Sequence, residues 1–307
     1  MQSIFKHRES ENSRAFQLFI IIVCFIFLTA CSKSVPQSVM FIQGGEYFSG
    51  DGINHAQYKV EIDDFHMLDH EVTNSEFADV MNWALSKDML YVNEERQQVL
   101  LNQDFPWNLI ELYKEGCQIK LENNSFSVSE GMEDYPVIFV SWYGAVTYCN
   151  FLGLKEGRNE LYDFNDWVYD RNAVNGYRLP TNEEWEYAAT ERGTSGKTFS
   201  GAAEPENSAW YKTNSGGSTH PVKQLEPNKL GLYDMSGNVW EFCTEKMGDF
   251  RGQIQTPELS LNTSYRLIRG ASFLSEDINL YRFVQIIDYP NYLKGSEETG
   301  FRTVFVK

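Results

Sequence analysis

A chain of 307 residues with 15% aromatics and 22 glycines can bury one large core and has many positions suited to turns. Its formal net charge of −17 repels phosphate backbones, which argues against a nucleic-acid partner. The five cysteines show no Cys-x-x-Cys spacing, so no thiolate metal knot is signalled.

Positions 1–30 stand apart. Lys6, Arg8 and Arg14 precede an apolar run from Leu18 to Leu28, and Thr29, Ala30 and Cys31 follow. A charged start, a hydrophobic middle and a small-residue cleavage site describe an export signal peptide. The run is short against the ~20 residues of a bilayer span, and a plain membrane anchor is the alternative. The Leu28-Thr29-Ala30-Cys31 stretch resembles a bacterial lipobox, which implies cleavage before Cys31 and lipid on that residue. The expected product is an exported protein held by acyl chains on a bacterial membrane, at the outer membrane or cell surface, with residues 31–39 as a short tether. Without positions 1–30 the chain keeps 23 Lys+Arg against 41 Asp+Glu, a net charge of −18. Lipid rather than a basic patch then supplies the attachment. Cys117, Cys149 and Cys243 remain and read as free buried thiols, with one disulfide as the alternative.

Segments 39–49 and 58–68 are β-rich between glycine or polar turns and read as strands. Thr73 and Glu76 offer a capping box ahead of Phe77, Val80, Met81, Ala84 and Leu85, the spacing of an amphipathic helix. Residues 117–131 read as a hairpin around Asn123 and Asn124. Ser141 can cap a second helix that stops near Gly153 or Gly157. Thr181 and Glu184 form another capping box, and that helix is expected to end at Gly193. Beyond it the chain reads as loops and short strands. The fold class is α+β, one domain over 40–307, with 86–134 as an insertion.

Six phrases occur in order: EVTNSEFADVMNWA (71–84), YPVIFVSWYGAVTYCNFL (135–152), YRLPTNEEWEYAA (177–189), HPVKQLEPNKLGLYDMSGNVWEFC (220–243), RGASF (269–273) and GFR (300–302). Together they resemble the formylglycine-generating enzyme, or sulfatase-modifying factor, family, over essentially everything from residue 40 onward. The resemblance implies a C-type-lectin-like fold, one domain with modest helix and strand content and long loops. In the oxygen-using members two cysteines follow the Arg-Gly-Gly-Ser phrase and bind copper(I), a soft ion suited to thiolates. The corresponding positions here fall near Ser275 and Ile278 or Asn279, and no cysteine follows Cys243. No copper is expected, and formylglycine formation by that route is not expected either. The family's calcium loop corresponds to 233–241, which implies side-chain oxygens from Asp234 and Glu241 and carbonyls from Gly237 and Val239. A hydrogen-bonded turn without metal is the alternative. His66 and His70, if extended, stand about 13 Å apart, too far to share one ion. His220 reads as a packing or hydrogen-bonding residue, and Glu297 and Glu298 as solvated.

Between the phrases RGASF and GFR lies a stretch with neither cysteine nor histidine. Tyr281, Tyr289 and Tyr292 are the residue type enriched at contact hot spots. Leu274, Ile278, Val284 and Ile286 add apolar area, and Ser275, Asp277, Asn279, Asp288 and Asn291 add adaptable hydrogen bonds. This layout resembles the variable proteins of diversity-generating retroelements, which share the lectin-like fold and in which a carboxy-terminal block is rewritten at adenine positions. Most residues from 274 to 292 belong to the set such rewriting yields; Glu276 and Gln285 do not. The reading is a non-enzymatic, surface-anchored protein that binds a protein or glycan ligand through residues 270–302. The alternatives are an enzyme of the same family working by another mechanism, or a fixed structural subunit of the envelope.

Overall fold

The two segments expected as single strands form one bent antiparallel ribbon. In the computed structural model, residues 38–50, 57–102, 104–195, 199–201, 204–246, 266–276, 285–287 and 291–307 are described, all within the compact unit Ser38–Lys307. The export segment, Cys31 and the tether as far as residue 37 lie outside the described residues. β1 (Val39–Ile42) continues into β2 (Gly45–Ser49), and β3 (Tyr58–Ile62) into β4 (Phe65–Leu68). β1 pairs with β4, and β2 with β3. Each expected strand is thus broken at its middle, by Gln43-Gly44 and by Asp63-Asp64. The backbones approach closely at the break: a Cβ on Gly44 would lie 2.2 Å from the Ile62 carbonyl oxygen. Gly44 N–H instead donates to Asp64 Oδ1 at 2.8 Å, holding the bend.

The helices start where their caps predict. α1 (Asn74–Leu85) has the reciprocal box, with Thr73 Oγ1 accepting from Glu76 N–H and the Glu76 carboxylate accepting from Thr73 N–H. It buries Phe77, Val80, Met81 and Ala84. Two hairpins follow, β5 (Tyr91–Asn93) with β6 (Gln98–Leu100) and β7 (Ile119–Glu122) with β8 (Ser125–Val128). Asn123 and Asn124 both take positive φ, as a two-residue hairpin turn requires. The 86–134 region is stitched into the body: Asn82 exchanges two 2.8 Å hydrogen bonds with the Phe126 backbone. Its Val99, Leu109, Ile110 and Leu121 are core. α2 (Trp142–Lys155) is buried on nearly every side and is capped by Ser141 Oγ. The small pair β9 (Tyr162–Asp163) and β10 (Val168–Tyr169) leads to β11 (Gly176–Arg178). α3 (Asn182–Ala189) begins at its capping box but ends short of Gly193. Glu191, Arg192 and Gly193 all sit at positive φ, so the turn that stops the helix opens earlier than expected.

The remaining strands are β12 (Trp240–Lys246), β13 (Arg266–Arg269), β14 (Gln285–Ile287), β15 (Thr299–Gly300) and β16 (Val304–Val306), with the short α4 (Asn291–Lys294) before β15. One sheet runs β1-β4-β16-β11 and the other β14-β13-β12-β15, with β12 and β15 parallel. Met67, Val304, Trp185, Met235, Cys243 and Leu267 share one apolar cluster drawn from both sheets and from α3. The result is the α+β architecture expected, with short elements and long irregular connections. No helix among the described residues is long and apolar enough to cross a membrane.

Candidate functional site

Both framework phrases that flank the tail are pinned by a fully buried arginine. Arg269, at the end of β13, donates from Nε to Asn182 Oδ1 at 2.8 Å and from Nη2 to Glu186 Oε2 at 2.7 Å. Arg302 donates from Nε to Glu241 Oε2 at 2.6 Å and from Nη2 to Glu241 Oε1 at 2.7 Å. Its guanidinium also reaches the Tyr233 and Leu68 carbonyls. The two bonds from Arg302 to one carboxylate form a fork that fixes direction as well as distance. At the near end, Gly270 has φ +103 and its backbone passes the Trp185 ring, where a Cβ would stand only 3.3 Å away. Glycine is the residue that tolerates both conditions.

The chain then turns inside Ser272–Ser275. Ser275 Oγ accepts from Ser272 N–H at 2.9 Å, and Ser275 N–H donates back to the Ser272 carbonyl at 3.0 Å. Phe273 N–H donates to the Asn238 carbonyl, and Ser215 Oγ donates to the Phe273 carbonyl. Ser272 Oγ donates to Glu298 across to the far framework phrase, so Glu298 is a partner of the turn and not the solvated carboxylate expected. Of the contact residues expected from sequence, Leu274 is the described one that is exposed, at 36%. Ser275 is buried and its hydroxyl closes the turn, which corrects its assignment as a surface contact. Asp277, Ile278, Asn279, Tyr281, Val284, Asp288 and Tyr289 lie outside the described residues. Ile286 lies in β14, its backbone opposite Leu267, and Asn291 and Tyr292 open α4. Beside the turn, His220 stacks on Trp210 with ring centroids 3.7 Å apart, and its Nε2 meets the Ser215 carbonyl at 2.8 Å. This is the packing and hydrogen-bonding role its sequence context suggests.

The 233–241 loop was expected to offer calcium oxygens, and its chemistry fits poorly. Glu241 is fully buried, with both oxygens on the Arg302 guanidinium and Oε2 also accepting from Trp185 Nε1 at 2.9 Å. A dication there would sit against an arginine, so Glu241 is withdrawn from the expected set of Asp234, Gly237, Val239 and Glu241. Gly237 N–H closes the loop on the Gly270 carbonyl at 2.7 Å, and Val239 N–H is taken by Glu71. Asp234 Oδ2 accepts from Lys223 N–H, while its buried Oδ1 has no protein partner. Burial pushes the Asp234 carboxyl up to about 6. Glu71, missed by sequence reasoning, is fully buried and accepts from Asn238 Nδ2 at 2.6 Å and from Val239 N–H. Burial, with the Asp234 and Glu241 charges nearby, holds its carboxyl well above the usual range.

Among the described residues the thiols and histidines are not brought together into one group. Cys117, Cys149 and Cys243 are free thiols, the last two fully buried. Burial pushes Cys117 up to about 11 and raises the other two as well, so all three stay protonated at neutral pH. His66 lies between Phe41 and Phe305. His70 faces Asp69 at Nδ1 and Glu76 at Nε2, and these carboxylates raise it to about 9 despite burial. Its partners mark it as a buried imidazolium in an ion-pair chain that continues from Asp69 to Lys223. Among the described residues no group of three His, Cys, Asp or Glu side chains is placed to hold a metal ion.

The sulfatase-modifying factor enzyme 1-like domain matches residues 27–306. The chain belongs to this family. Its relatives within it differ in named activity. A chaperone protein, LppX of Paenibacillus barcinonensis, is 29% identical over 85% of this chain and 89% of its own length. A formylglycine-generating enzyme of Streptomyces coelicolor is 26% identical over 78% of this chain and 81% of its own. Among solved structures, Treponema denticola variable protein 1 superposes with a TM-score of 0.61 at 24% identity, covering 88% of this chain and 95% of that one. That likeness establishes the lectin-like fold expected from the sequence phrases.

Proposed function

We propose that this family member is a non-enzymatic binding protein, exported and lipid-anchored through Cys31 at a bacterial cell surface, whose ligand contacts come from the tail between Ser275 and Leu293. The observation that carries the reading is Ser275. Where the oxygen-using members place a copper thiolate, this chain has a buried hydroxyl that closes a turn. Cys149 and Cys243 are protonated and packed in the interior. What the framework does well is hold two ends of a segment at fixed positions, which suits recognition. The tail's tyrosines are rigid amphipathic anchors of the kind binding surfaces use. The relative named as a chaperone favours a protein as the ligand class.

Replacing Tyr281, Tyr289 and Tyr292 together by Ala tests the proposal. Capture of labelled envelope or host-cell protein extract by intact cells should fall at least tenfold, with the melting temperature unchanged. Full capture by the triple variant would refute the assignment of the tail. Conversion of a peptide cysteine to formylglycine by the copper-treated protein would refute the non-enzymatic reading.

A further inference from the structure

A second feature lies away from the tail. Between the β2–β3 ribbon, the Tyr169–Arg178 region and the start of α3 is a cavity of about 330 Å³, within the range of small-ligand sites. Its walls are partly apolar and aromatic, with Tyr58, Val60, Ile62, Tyr169 and Val306. Six acidic residues line it: Glu61, Asp63, Asp64, Glu183, Glu184 and Glu245. Glu184 is neutralised by Arg178, which grips it with two bonds of 2.6 and 2.7 Å. Glu183 and Glu245 have no such partner. Glu183 Oε1 accepts from the Tyr58 hydroxyl at 2.8 Å, and Glu245 Oε2 accepts from Asn182 N–H at 2.8 Å. Neither meets a Lys or Arg side chain among the described residues. Burial, then the Glu183 charge, pushes Glu245 up to about 8. Arg171, also on the lining, is exposed and lies over the Tyr169 ring, 5.9 Å from its centroid.

We propose that this cavity binds an alkylammonium group, from a protein lysine or a free polyamine, with Glu245 and Glu183 as its counter-charges. Three features select that chemistry. Glu183 and Glu245 are held by neutral donors alone, so a cation entering the cavity is the counter-charge that favours their ionised forms. The Tyr58 ring on the lining offers a face that attracts a cation, whereas Tyr169 already faces the Arg171 and Arg178 guanidiniums. Val60, Ile62 and Val306 give an aliphatic stem apolar surface to lie against. An anionic ligand would meet the same carboxylates and be repelled. A bare divalent ion would leave the apolar walls unused, and no three-ligand metal group is present among the described residues.

The test is titration calorimetry on the chain from Ser32 onward with spermidine, with Nα-acetyl-lysine methylamide, and with the norleucine analogue that lacks the amine. Saturable binding of either amine and none of the norleucine compound is expected. The amine that binds more tightly identifies the source as free polyamine or protein lysine. Glu245→Gln should weaken binding at least tenfold, and Glu183→Gln gives a second reading should the first variant fold poorly. Asp63→Asn, which removes an exposed charge at the cavity rim, should change affinity less than twofold. No saturable binding of either amine by the parent protein would overturn the proposal. So would an unchanged affinity in Glu245→Gln, or an equal loss in Asp63→Asn, since the latter would reveal only the general attraction of an acidic surface.

Discussion

Replacing Arg302 by Met tests the electrostatic arrangement beneath the tail. The guanidinium is fully buried and makes two charge-assisted bonds to Glu241, with two further bonds to the Tyr233 and Leu68 carbonyls. Glu71 and Asp234 act on the same cation. Methionine fills much of the volume but leaves Glu241 buried without a counter-charge, and removes the cation that lowers the Glu71 and Asp234 carboxyls. Breaking a buried pair by removing one partner costs about 3–5 kcal/mol. For a domain of this size each kcal/mol moves the midpoint by roughly 2–4 °C, so a fall of roughly 6–20 °C is expected. Glu241→Gln should cost less, about 1–3 kcal/mol, because the guanidinium still has Glu71 and Asp234 to answer it. Thermal unfolding followed by near-ultraviolet circular dichroism, with urea melts as a second measure, reads both values. A fall under about 3 °C for Arg302→Met, or a larger loss for Glu241→Gln than for Arg302→Met, would show that Arg302 is not the cation on which the cluster depends.

Three further outcomes follow from the buried titratable groups. Glu245 is raised from 4.5 to about 8 in the folded state, so the native chain holds its proton more tightly than the unfolded chain. Its contribution therefore falls as pH rises between those values, and Glu245→Gln should be more stable than the parent at pH 8.5 and equal to it at pH 4, as thermal melts will show. His70 is raised from 6.5 to about 9, so its stabilisation is complete below pH 6.5 and disappears as pH climbs through 9. His70→Gln should lose up to roughly 3 kcal/mol at pH 6 and little at pH 10, measured by urea denaturation at each pH. In a chain starting at Ser32, Cys149 and Cys243 should resist Ellman's reagent until denaturant is added, and Cys117 should react only slowly.

Local signals in the sequence mapped well onto the structure because their physics is local. The Thr73–Glu76 and Thr181–Glu184 boxes each join residues three apart, and both form as expected. The Asn123-Asn124 hairpin depends only on two residues tolerating positive φ. Where local reading failed, a distant group intruded. Segment 39–49 has the composition of one strand, yet it breaks at Gln43-Gly44, where the Ile62 carbonyl passes closer than a Cβ would allow. Glu241 reads as a metal ligand from its own loop, but its partner Arg302 lies 61 positions away. Glu71 belongs to a phrase that marks the family, and nothing within its neighbours in sequence announces that its carboxylate reaches Asn238, 167 positions on. Pairings of this kind are set by tertiary packing, and a single sequence carries no trace of them.

The same framework would let the proposed contact surface change without endangering the fold. Its near end is fixed by Arg269 and by the Ser272–Ser275 turn, and its far end by Leu293, packed in the interior, and by Arg302. Between them β14 adds a third fixed point, lying at the outer edge of the β14-β13-β12-β15 sheet and pairing with β13 from Gln285 to Ile287. That last contact is made by backbone groups, which every residue except proline supplies alike. An edge strand held by its backbone specifies a path through space and leaves the side chains largely unspecified. Among the described residues, the buried charge pairs that fix the two ends lie in the Arg269 and Arg302 clusters, outside the segment proposed to meet the ligand. Under the proposed function, substitution within the segment would alter what is bound, while the arginines and their carboxylates keep the scaffold in place.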